Sequence, residues 1–206
     1  MYVPQHFSET DVARLHALMR AHAFATLISV ADGVPFATHV PLLLDAERGP
    51  SGTLVGHMAR ANSHWQAFDG HSPALAIFHG PHAYVSPRWF ASTPNVPTWN
   101  YEVVHASGAP RVLEDPAVVR ALLECSAAVF EAGASEPWTL ASATEDYVAG
   151  MQRAIVAFEI PIDRLEGKRK LSQNKSIGDR AGVMAALRDA GDPSGVAIAA
   201  AMESQS

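Results

Sequence analysis

Cysteine is almost absent from this chain, because Cys125 is the only one among 206 residues. A single cysteine excludes an intramolecular disulfide and suits a reducing compartment. It lies in the apolar run VVRALLECSAAVF, where we expect a buried structural thiol and not a nucleophile. The N-terminal MYVPQHFSETD lacks a basic segment followed by an apolar one, so no signal peptide is expected. The apolar runs are too short or too interrupted to cross a bilayer, and we predict a cytoplasmic protein without membrane contact.

Positive charge is also scarce: 15 Lys and Arg residues face 21 Asp and Glu residues, for a net charge of −6. This balance excludes a broadly basic DNA-binding surface. A local basic run, Lys168 to Arg180, is nevertheless compatible with contacts to DNA phosphates. The alternative is a solvated loop whose charges serve a cofactor phosphate or a dimer contact. No helix-turn-helix pattern is recognised, so direct DNA binding is weakly supported.

Several catalytic signatures are missing. The chain has no GxSxG elbow, no HExxH, and no glycine-rich phosphate or dinucleotide fingerprint. Among its ten histidines, His57, His64 and His71 are spaced by seven. On a helix that spacing separates neighbours by roughly 10 Å, which is too far for a shared metal. We therefore predict no metal site and assign no catalytic residue.

The remaining pattern is that of one substantial core, with 48% hydrophobic residues and strands in hairpin order. Asp32-Gly33 predicts a tight turn between two strands within residues 24–44. Further strands are expected at 53–58, 74–78, 100–105 and 153–163, with residues 108–113 as the hairpin partner of 100–105. Helices are expected after Ser8, after Asn62, from Asp115 to about Glu131, from Thr144 to Met151, and around Val183 to Leu187. This order favours an α+β fold with an antiparallel barrel and peripheral helices.

One stretch concentrates aromatic side chains, from Ile77 to His105. Trp89 and Trp99 flank a loop that contains Pro87, Pro94 and Pro97. Stiff, aromatic loops on a β scaffold are typical of ligand sites. The alternative is a long loop whose tryptophans close the end of a barrel core.

A second stretch, ARANSHWQAF, places Arg60 beside Asn62, a good helix N-cap. A guanidinium next to free helix amides can hold an anion, although an ordinary surface arginine beside an ordinary cap has the same pattern. If a nucleotide-like cofactor binds, Arg60, Asn62, Lys170 and Ser172 are the residues expected at its phosphate. The side chains expected to read the edge of an isoalloxazine ring are Thr38, Tyr84, Ser86, Trp99, Gln173 and Asn174.

Five motifs together resemble one family: PFATHVPLLL, GHMARANSHW, IFHGPHAYVSP, NVPTWNY and EGKRKLSQNKS. In this order and spacing they are similar to the PaiB-like FMN-binding negative transcriptional regulators. The resemblance covers the chain from Met1 to about Leu187. It implies a flavin-reductase-like split β-barrel that forms homodimers with two FMN sites at the dimer seam. It also implies a bacterial, cytoplasmic repressor.

Carried over residue by residue, the resemblance assigns the cofactor site to stretches of this chain. It implies an FMN-binding split barrel over residues 1–165, with a basic loop and helices over 166–206 packed on the same domain. The residues it assigns to the cofactor are Thr38, His39, Arg60, Asn62, Tyr84, Ser86, Trp99, Lys170, Ser172, Gln173 and Asn174. The alanine-rich tail after Asp192 lies outside the resemblance.

Three functions stay open on the sequence. The first is an FMN-binding regulator that acts on DNA or on a partner protein, and it is the one that the resemblance favours. The second is a flavin-dependent oxidoreductase, such as a flavin reductase. The third is a haem-binding or haem-degrading protein that uses a histidine such as His39 or His82.

Overall fold

The computed structural model describes residues 1–31 and 33–204. Within these ranges the strands are β1 (Ser8–Glu9), β2 (Phe24–Ala31), β3 (Val34–Asp45), β4 (Thr53–Ala59), β5 (Ala74–Val85), β6 (Thr98–Gly108), β7 (Arg111–Leu113), β8 (Ile155–Pro161) and β9 (Arg164–Lys170). The α-helices are α1 (Val12–Ala21), α2 (Pro116–Phe130), α3 (Glu145–Ala154), α4 (Ile177–Ala190) and α5 (Pro193–Glu203). None of the helices in the described ranges is long and apolar enough to span a bilayer.

The chain divides into two compact units. The central unit comprises residues 23–77 and 106–165, and the terminal unit comprises 1–22, 78–105 and 166–206. The last crossing between the two units lies between Leu165 and Glu166. Two earlier segments, 1–22 and 78–105, belong with the C-terminal region and not with the rest of the N-terminal part.

The central unit is an antiparallel sheet in the order β5-β2-β3-β4-β8-β7. No pairing among its described strands joins β7 back to β5, so this sheet is open. The predicted class, α+β with an antiparallel sheet, is confirmed. The β2–β3 hairpin is also present as predicted, with Ala31 paired to Val34, although Asp32 of the predicted turn lies outside the described residues.

The prediction that residues 108–113 pair with 100–105 is wrong. Strand β7 pairs with β8 instead, with Arg111 opposite Glu159. The Arg111 Nε donates to the buried Glu159 carboxylate, and this contact fixes the register. Proline at position 110, which has no N–H to donate, separates β6 from β7.

Helix α2 covers one part of this sheet by packing Val119 and Leu122 on Ala157. It begins as predicted, with Asp115 accepting a hydrogen bond from the Ala117 amide at 2.8 Å and proline in the first turn. The prediction of a buried thiol is wrong, because Cys125 is exposed. The buried stripe of α2 follows Val119 and Leu122, and Cys125 lies on the solvent side of that stripe.

The terminal unit contains strands in the order β1-β9-β6-β5. Helices α4 and α5 pack on them through one apolar cluster, formed by Ala83, Val85, Phe90, Leu171, Val183, Leu187, Ile198, Ala199 and Met202. The alanine-rich tail, to which the sequence assigned no role, is therefore part of a core. Its small side chains allow α5 to pack closely on α4.

Three local expectations need correction in this unit. The basic segment 166–180 is not a loop, because β9 occupies its first part and α4 begins at Ile177. Strand β5 continues to Val85, so the irregular aromatic segment is shorter than expected. The first α-helix is capped by Asp11, which accepts from the Ala13 amide at 2.9 Å, while Ser8 pairs with Lys168 in a short strand.

Candidate functional site

The residues expected at the cofactor are divided between the two units. The central unit holds four of them: Thr38, His39, Arg60 and Asn62. The terminal unit holds the other seven: Tyr84, Ser86, Trp99, Lys170, Ser172, Gln173 and Asn174.

In the central unit, Thr38 and Asn62 meet. Asn62 is the N-cap of a short 3-10 helix, Ser63–Ala67, as predicted, and its Oδ1 accepts from the His64 amide at 3.0 Å. Its Nδ2 donates to Thr38 Oγ1 at 3.1 Å. The cap amide therefore uses both ends of its side chain, one for the helix and one for the neighbouring strand.

The same network includes His64 and Ser29, which the sequence did not single out as site residues. His64 Nδ1 lies 2.8 Å from Thr38 Oγ1, and His64 Nε2 lies 2.7 Å from Ser29 Oγ. Burial lowers the pKa of His64 from its ordinary value, so the ring is neutral, with one nitrogen donating and the other accepting.

A serine hydroxyl on an imidazole nitrogen is also the contact of a nucleophilic pair. Ser29 is 7% exposed and His64 only 2%, however, so a substrate cannot reach the hydroxyl. The His64 ring instead packs against Phe36 and Phe68, with centroid distances of 4.8 and 5.4 Å. The network is a structural element that fixes β2, β3 and the Asn62 cap. The motif ARANSHW contained this histidine, but its spacing to other histidines suggested only a metal.

Arg60 is exposed, and backbone carbonyls hold its guanidinium in place. Its Nε donates to the Arg153 carbonyl at 2.8 Å and its Nη2 donates to the Ile155 carbonyl at 2.7 Å. These two bonds use two of the five N–H groups of a guanidinium, so three can serve another acceptor. Arg60 lines a cavity of about 620 Å³ together with Trp65, Gln152 and Arg153. The arrangement is a positioned cation at the wall of a cavity large enough for a small organic anion.

His39 lies on the exposed face of β3, and its ring stacks on Phe24 at 6.3 Å. Residues directly opposite each other on β2 and β3 share a face. That face carries Phe24, Ile28 and Val30 from β2 and Pro35, Ala37, His39 and Pro41 from β3. Phe24 is 69% exposed and Val30 is 60% exposed, so this part of the sheet presents apolar side chains to solvent.

In the terminal unit, Tyr84, Trp99 and His82 form an aromatic group. Trp99 lies 6.0 Å from Tyr84 in a T-shaped contact and 6.2 Å from His82. Trp99 is 52% exposed and Tyr84 is 44% exposed, so both rings are accessible to a ligand. Trp89, in contrast, packs against the apolar cluster of this unit. Of these two tryptophans, only Trp99 is more than half exposed, and a ligand role for it stays a prediction.

Lys170 lies beside Trp99. Its Nζ donates to Thr98 Oγ1 and, at 2.6 Å, to the Trp99 carbonyl oxygen. Burial, with a smaller contribution from the nearby Lys168 charge, lowers the pKa of Lys170. Both acceptors are uncharged, so the ammonium can still gain from an anionic ligand.

Three of the other four predicted residues of this unit have structural partners. Ser86 is buried and caps the 3-10 helix Pro87–Trp89 by accepting from the Arg88 amide at 3.3 Å. Ser172 is buried with a φ of 61°, and its Oγ exchanges hydrogen bonds with the buried Asn100 amide at 3.1 and 3.2 Å. The Gln173 side chain bonds the backbone of Leu171 and Arg169. Asn174 alone of the four is exposed.

The basic run Lys168 to Arg180 is largely internal to the terminal unit. The partners of its five cations are the Tyr2 carbonyl for Lys168, the Glu102 carboxylate for Arg169, the Trp99 carbonyl for Lys170, the Asn95 side chain for Lys175 and the Met202 carbonyl for Arg180. Lys168 is 8% exposed and also lies over the rings of Tyr2 and Tyr101. These contacts explain why a strongly basic sequence can form a strand and a helix start.

A further cavity of about 450 Å³ in the terminal unit is lined by His79, His82, His105, Trp99 and Tyr101, among others. Burial is the largest cause that lowers the pKa of His105, and the N-terminal ammonium lowers it further. In the part of the chain that the structure describes, no group of three or more His, Cys, Asp or Glu side chains is arranged to hold a metal ion.

Comparisons with known proteins give a family and a fold. The family model described as "Putative FMN-binding domain" matches residues 1–164. Over 203 residues the chain is 30% identical to the protease synthase and sporulation protein PAI 2 of Bacillus subtilis (strain 168). This alignment covers 98% of this chain and 97% of that protein.

Two solved structures have a similar fold. The flavocytochrome Anf3 from Azotobacter vinelandii aligns with a TM-score of 0.62 and 17% identity over 82% of this chain and 72% of that chain. The FAD and haem binding protein from Mycobacterium smegmatis aligns with a TM-score of 0.60 and 22% identity over 79% and 73%.

Proposed function

The chain belongs to the FMN-binding domain family whose model matches residues 1–164, and from this membership we propose that it is an FMN-binding protein with a regulatory role. The family match is the observation that carries the proposal. It confirms the family predicted from the five sequence motifs, and the 30% identity to PAI 2 of Bacillus subtilis agrees with it. When bound, FMN supplies hydride and single-electron chemistry.

Arg60 is the residue that fits the phosphate of FMN. Two backbone carbonyls already hold its guanidinium, so little side-chain entropy is lost when a phosphate binds. Two cations, Arg60 and Arg153, and one carboxylate, Glu114, line the same cavity, so its lining carries a net positive charge. We infer that the phosphate is bound at Arg60, near the Asn62 cap.

The terminal unit supplies the second set of residues that the resemblance assigns to FMN. Tyr84 and Trp99 present aromatic faces suited to an isoalloxazine ring, and Lys170 and Asn174 present polar groups suited to its edge. Ser86, Ser172 and Gln173 bond the protein itself, so we propose that they shape this region and do not contact the ring. Trp99→Leu and Lys170→Met variants test this set separately from Arg60.

The phosphate assignment is tested by comparing FMN with riboflavin, which lacks the phosphate. Arg60→Ala should weaken FMN binding about ten- to a hundredfold and leave riboflavin binding unchanged, because one charge-assisted contact is lost. Flavin fluorescence quenching measures both affinities. Arg20→Ala, at an exposed arginine of helix α1 in the terminal unit, is the matched control, and a thermal melt of each apo variant checks the fold.

If Arg60→Ala weakens FMN and riboflavin equally, the phosphate does not lie at Arg60. If wild-type protein binds neither flavin, the proposed function itself is wrong. An absorption spectrum of the purified protein before and after addition of FMN is the first measurement, because a shifted flavin band reports binding directly.

We also propose that the fold is a split β-barrel and that it functions as a homodimer. The uncovered apolar face of β2 and β3, with Phe24 and Val30 more than half exposed, supports an interface between two copies. Light scattering should give twice the chain mass, and Val30→Lys should lower it. A monomer in the wild-type protein at micromolar concentration would contradict the dimer.

The regulatory role is proposed from the resemblance to the PaiB-like regulators. The basic run Lys168 to Arg180 gives little support to direct DNA contact, because its cations contact groups of their own unit. We therefore favour action through a partner protein. A gel-shift assay with the upstream region of the gene tests this choice: a sequence-specific complex whose affinity falls steeply with salt would show direct DNA binding.

Haem is the second candidate ligand, favoured by one observation. The terminal unit brings His79, His82 and His105 to one cavity beside Trp99. Addition of haem to the apo protein should then give a Soret band that His82→Ala shifts. NAD(P)H consumption by the FMN-loaded protein tests the oxidoreductase alternative.

A further inference from the structure

The central unit contains a second cavity, away from Arg60 in the sequence, between the C-terminal half of α2, the segment 131–144 and α3. Its volume is about 370 Å³. The apolar part of its wall is formed by Leu123, Ala127, Leu140, Ala143, Val148 and Met151. Nothing in the proposed FMN function uses these residues.

Three aromatic side chains line this cavity and remain open to solvent. Phe130 is 51% exposed, Trp138 is 48% exposed and Tyr147 is 61% exposed. Aromatic rings usually bury most of their surface, so three half-exposed rings around one cavity indicate a binding surface. The face of an aromatic ring carries partial negative charge and attracts cations.

The electrostatic character of the cavity is also negative. Among the described residues, Glu131 is the only formally charged one in its lining, and no Lys, Arg or His lines it. The lining includes the last turn of α2, where the helix dipole places partial negative charge and where no basic residue compensates it. The Glu131 carboxylate is fixed at the rim, because its Oε2 accepts from the Trp138 amide at 3.2 Å.

Charged groups on the neighbouring elements do not cancel this field. Arg120 of α2 is bound to Glu145 and Glu124 and does not line the cavity. The first turn of α3 borders the cavity, but Glu145 and Asp146 and the Thr144 cap offset its positive end. A cation in this cavity is therefore surrounded by three half-exposed aromatic rings, one carboxylate and a helix C-terminus.

We propose that this cavity binds a small hydrophobic organic cation, such as an aryl-alkyl amine or a quaternary ammonium compound. The ammonium lies against Trp138 and Tyr147 near Glu131, and the apolar body of the ligand lies against Leu123, Ala127 and Met151. A cavity of about 370 Å³ is at the small end of the range that ligand pockets occupy, which suits a ligand of one ring and a short chain. The proposal does not depend on FMN binding.

The test uses three probes that share a phenyl ring: benzyltrimethylammonium, benzyl alcohol and benzoate. Ligand-observed NMR titrations of the full-length protein measure their affinities. We expect the cation to bind best and benzoate to bind worst. Glu131→Gln keeps the shape of the side chain and should weaken only the cation, by about two- to fivefold, and Trp138→Leu should weaken the cation more than the alcohol.

Glu136→Gln is the matched control, because Glu136 is an exposed carboxylate in the same segment that does not line the cavity. Equal affinities for the three probes, or an equal effect of Glu131→Gln and Glu136→Gln, would overturn the proposal. So would an absence of cation binding together with a Trp138→Leu variant that dissociates a dimer in light scattering, since the cavity would then be a protein interface.

Discussion

His64 offers the sharpest test of how the central unit is held together. In the His64→Ala variant, two hydrogen bonds are lost, to Ser29 at 2.7 Å and to Thr38 at 2.8 Å. Each contributes about 1 kcal/mol, and the buried Ser29 hydroxyl is left without this partner. The ring contacts with Phe36 and Phe68 contribute about 0.5–1.5 kcal/mol each. We expect a loss of about 3–5 kcal/mol in the free energy of unfolding, as for other buried aromatic residues.

Urea denaturation measures this loss as a shift of the midpoint at constant slope. His71→Ala is the control, because His71 is exposed and its substitution should change stability by less than about 0.5 kcal/mol. A double-mutant cycle with Ser29→Ala isolates the hydrogen bond between Ser29 and His64. The loss of unfolding free energy in the double variant should be smaller, by about 1 kcal/mol, than the sum of the losses in the two single variants. Strict additivity, or a His64→Ala loss no larger than that of His71→Ala, would refute the network.

Three further expectations follow from the same structure. Burial lowers the folded-state pKa of His57, His64 and His105 below the ordinary 6.5. Between the folded-state pKa and 6.5 the unfolded chain therefore binds more protons than the folded protein, so the free energy of unfolding should fall as the pH drops below 6.5. Urea titrations at several pH values measure this fall. Gly182→Ala should destabilise the protein in thermal melts, because the new Cβ would lie 2.2 Å from the Trp89 carbonyl oxygen. Gly150→Ala in α3, where a Cβ has room, should instead stabilise the protein by about 0.5–1 kcal/mol. Equal effects of the two substitutions would contradict the close packing of α4. Burial acts to raise the pKa of Glu159, but hydrogen bonds from Arg48 and Arg111 outweigh burial and lower it. Arg111→Met leaves this buried carboxylate with one partner fewer, so in urea melts it should destabilise the protein more than the double variant Arg111→Met/Glu159→Leu. The reverse order would show that the carboxylate is adequately solvated.

The sequence by itself determined the elements whose signals are local. Asp115 with Pro116, Asn62 and Thr144 each cap the helix that was expected, because a side-chain acceptor beside free amides acts within three residues. The strands of the β2–β3 hairpin and β8 followed from alternation and β-branched residues. The family followed from five motifs, since long motifs in a fixed order carry information that single residues do not.

The predicted cofactor residues were identified by chemical type, which the sequence shows, but not by their partners. Arg60 and Asn62 proved to be held by carbonyls and a threonine that lie 24 to 95 positions away in the chain. Ser172, which was expected at a ligand, bonds Asn100, 72 positions away. Whether a polar side chain is free for a ligand depends on such distant partners.

Only the tertiary structure decided which strands pair and which charges are satisfied. Arg111 bonds Glu159, which lies 48 positions further along the chain, and β7 pairs with β8 and not with β6. No local pattern indicates this pairing. The basic segment 166–180 reads as a solvated loop because Lys and Arg usually prefer water. Aromatic rings, a carboxylate and backbone carbonyls of its unit bind these cations, and the first part of the segment forms strand β9. Local backbone preference determines where elements begin, whereas the distant partners of charged groups determine where those elements lie.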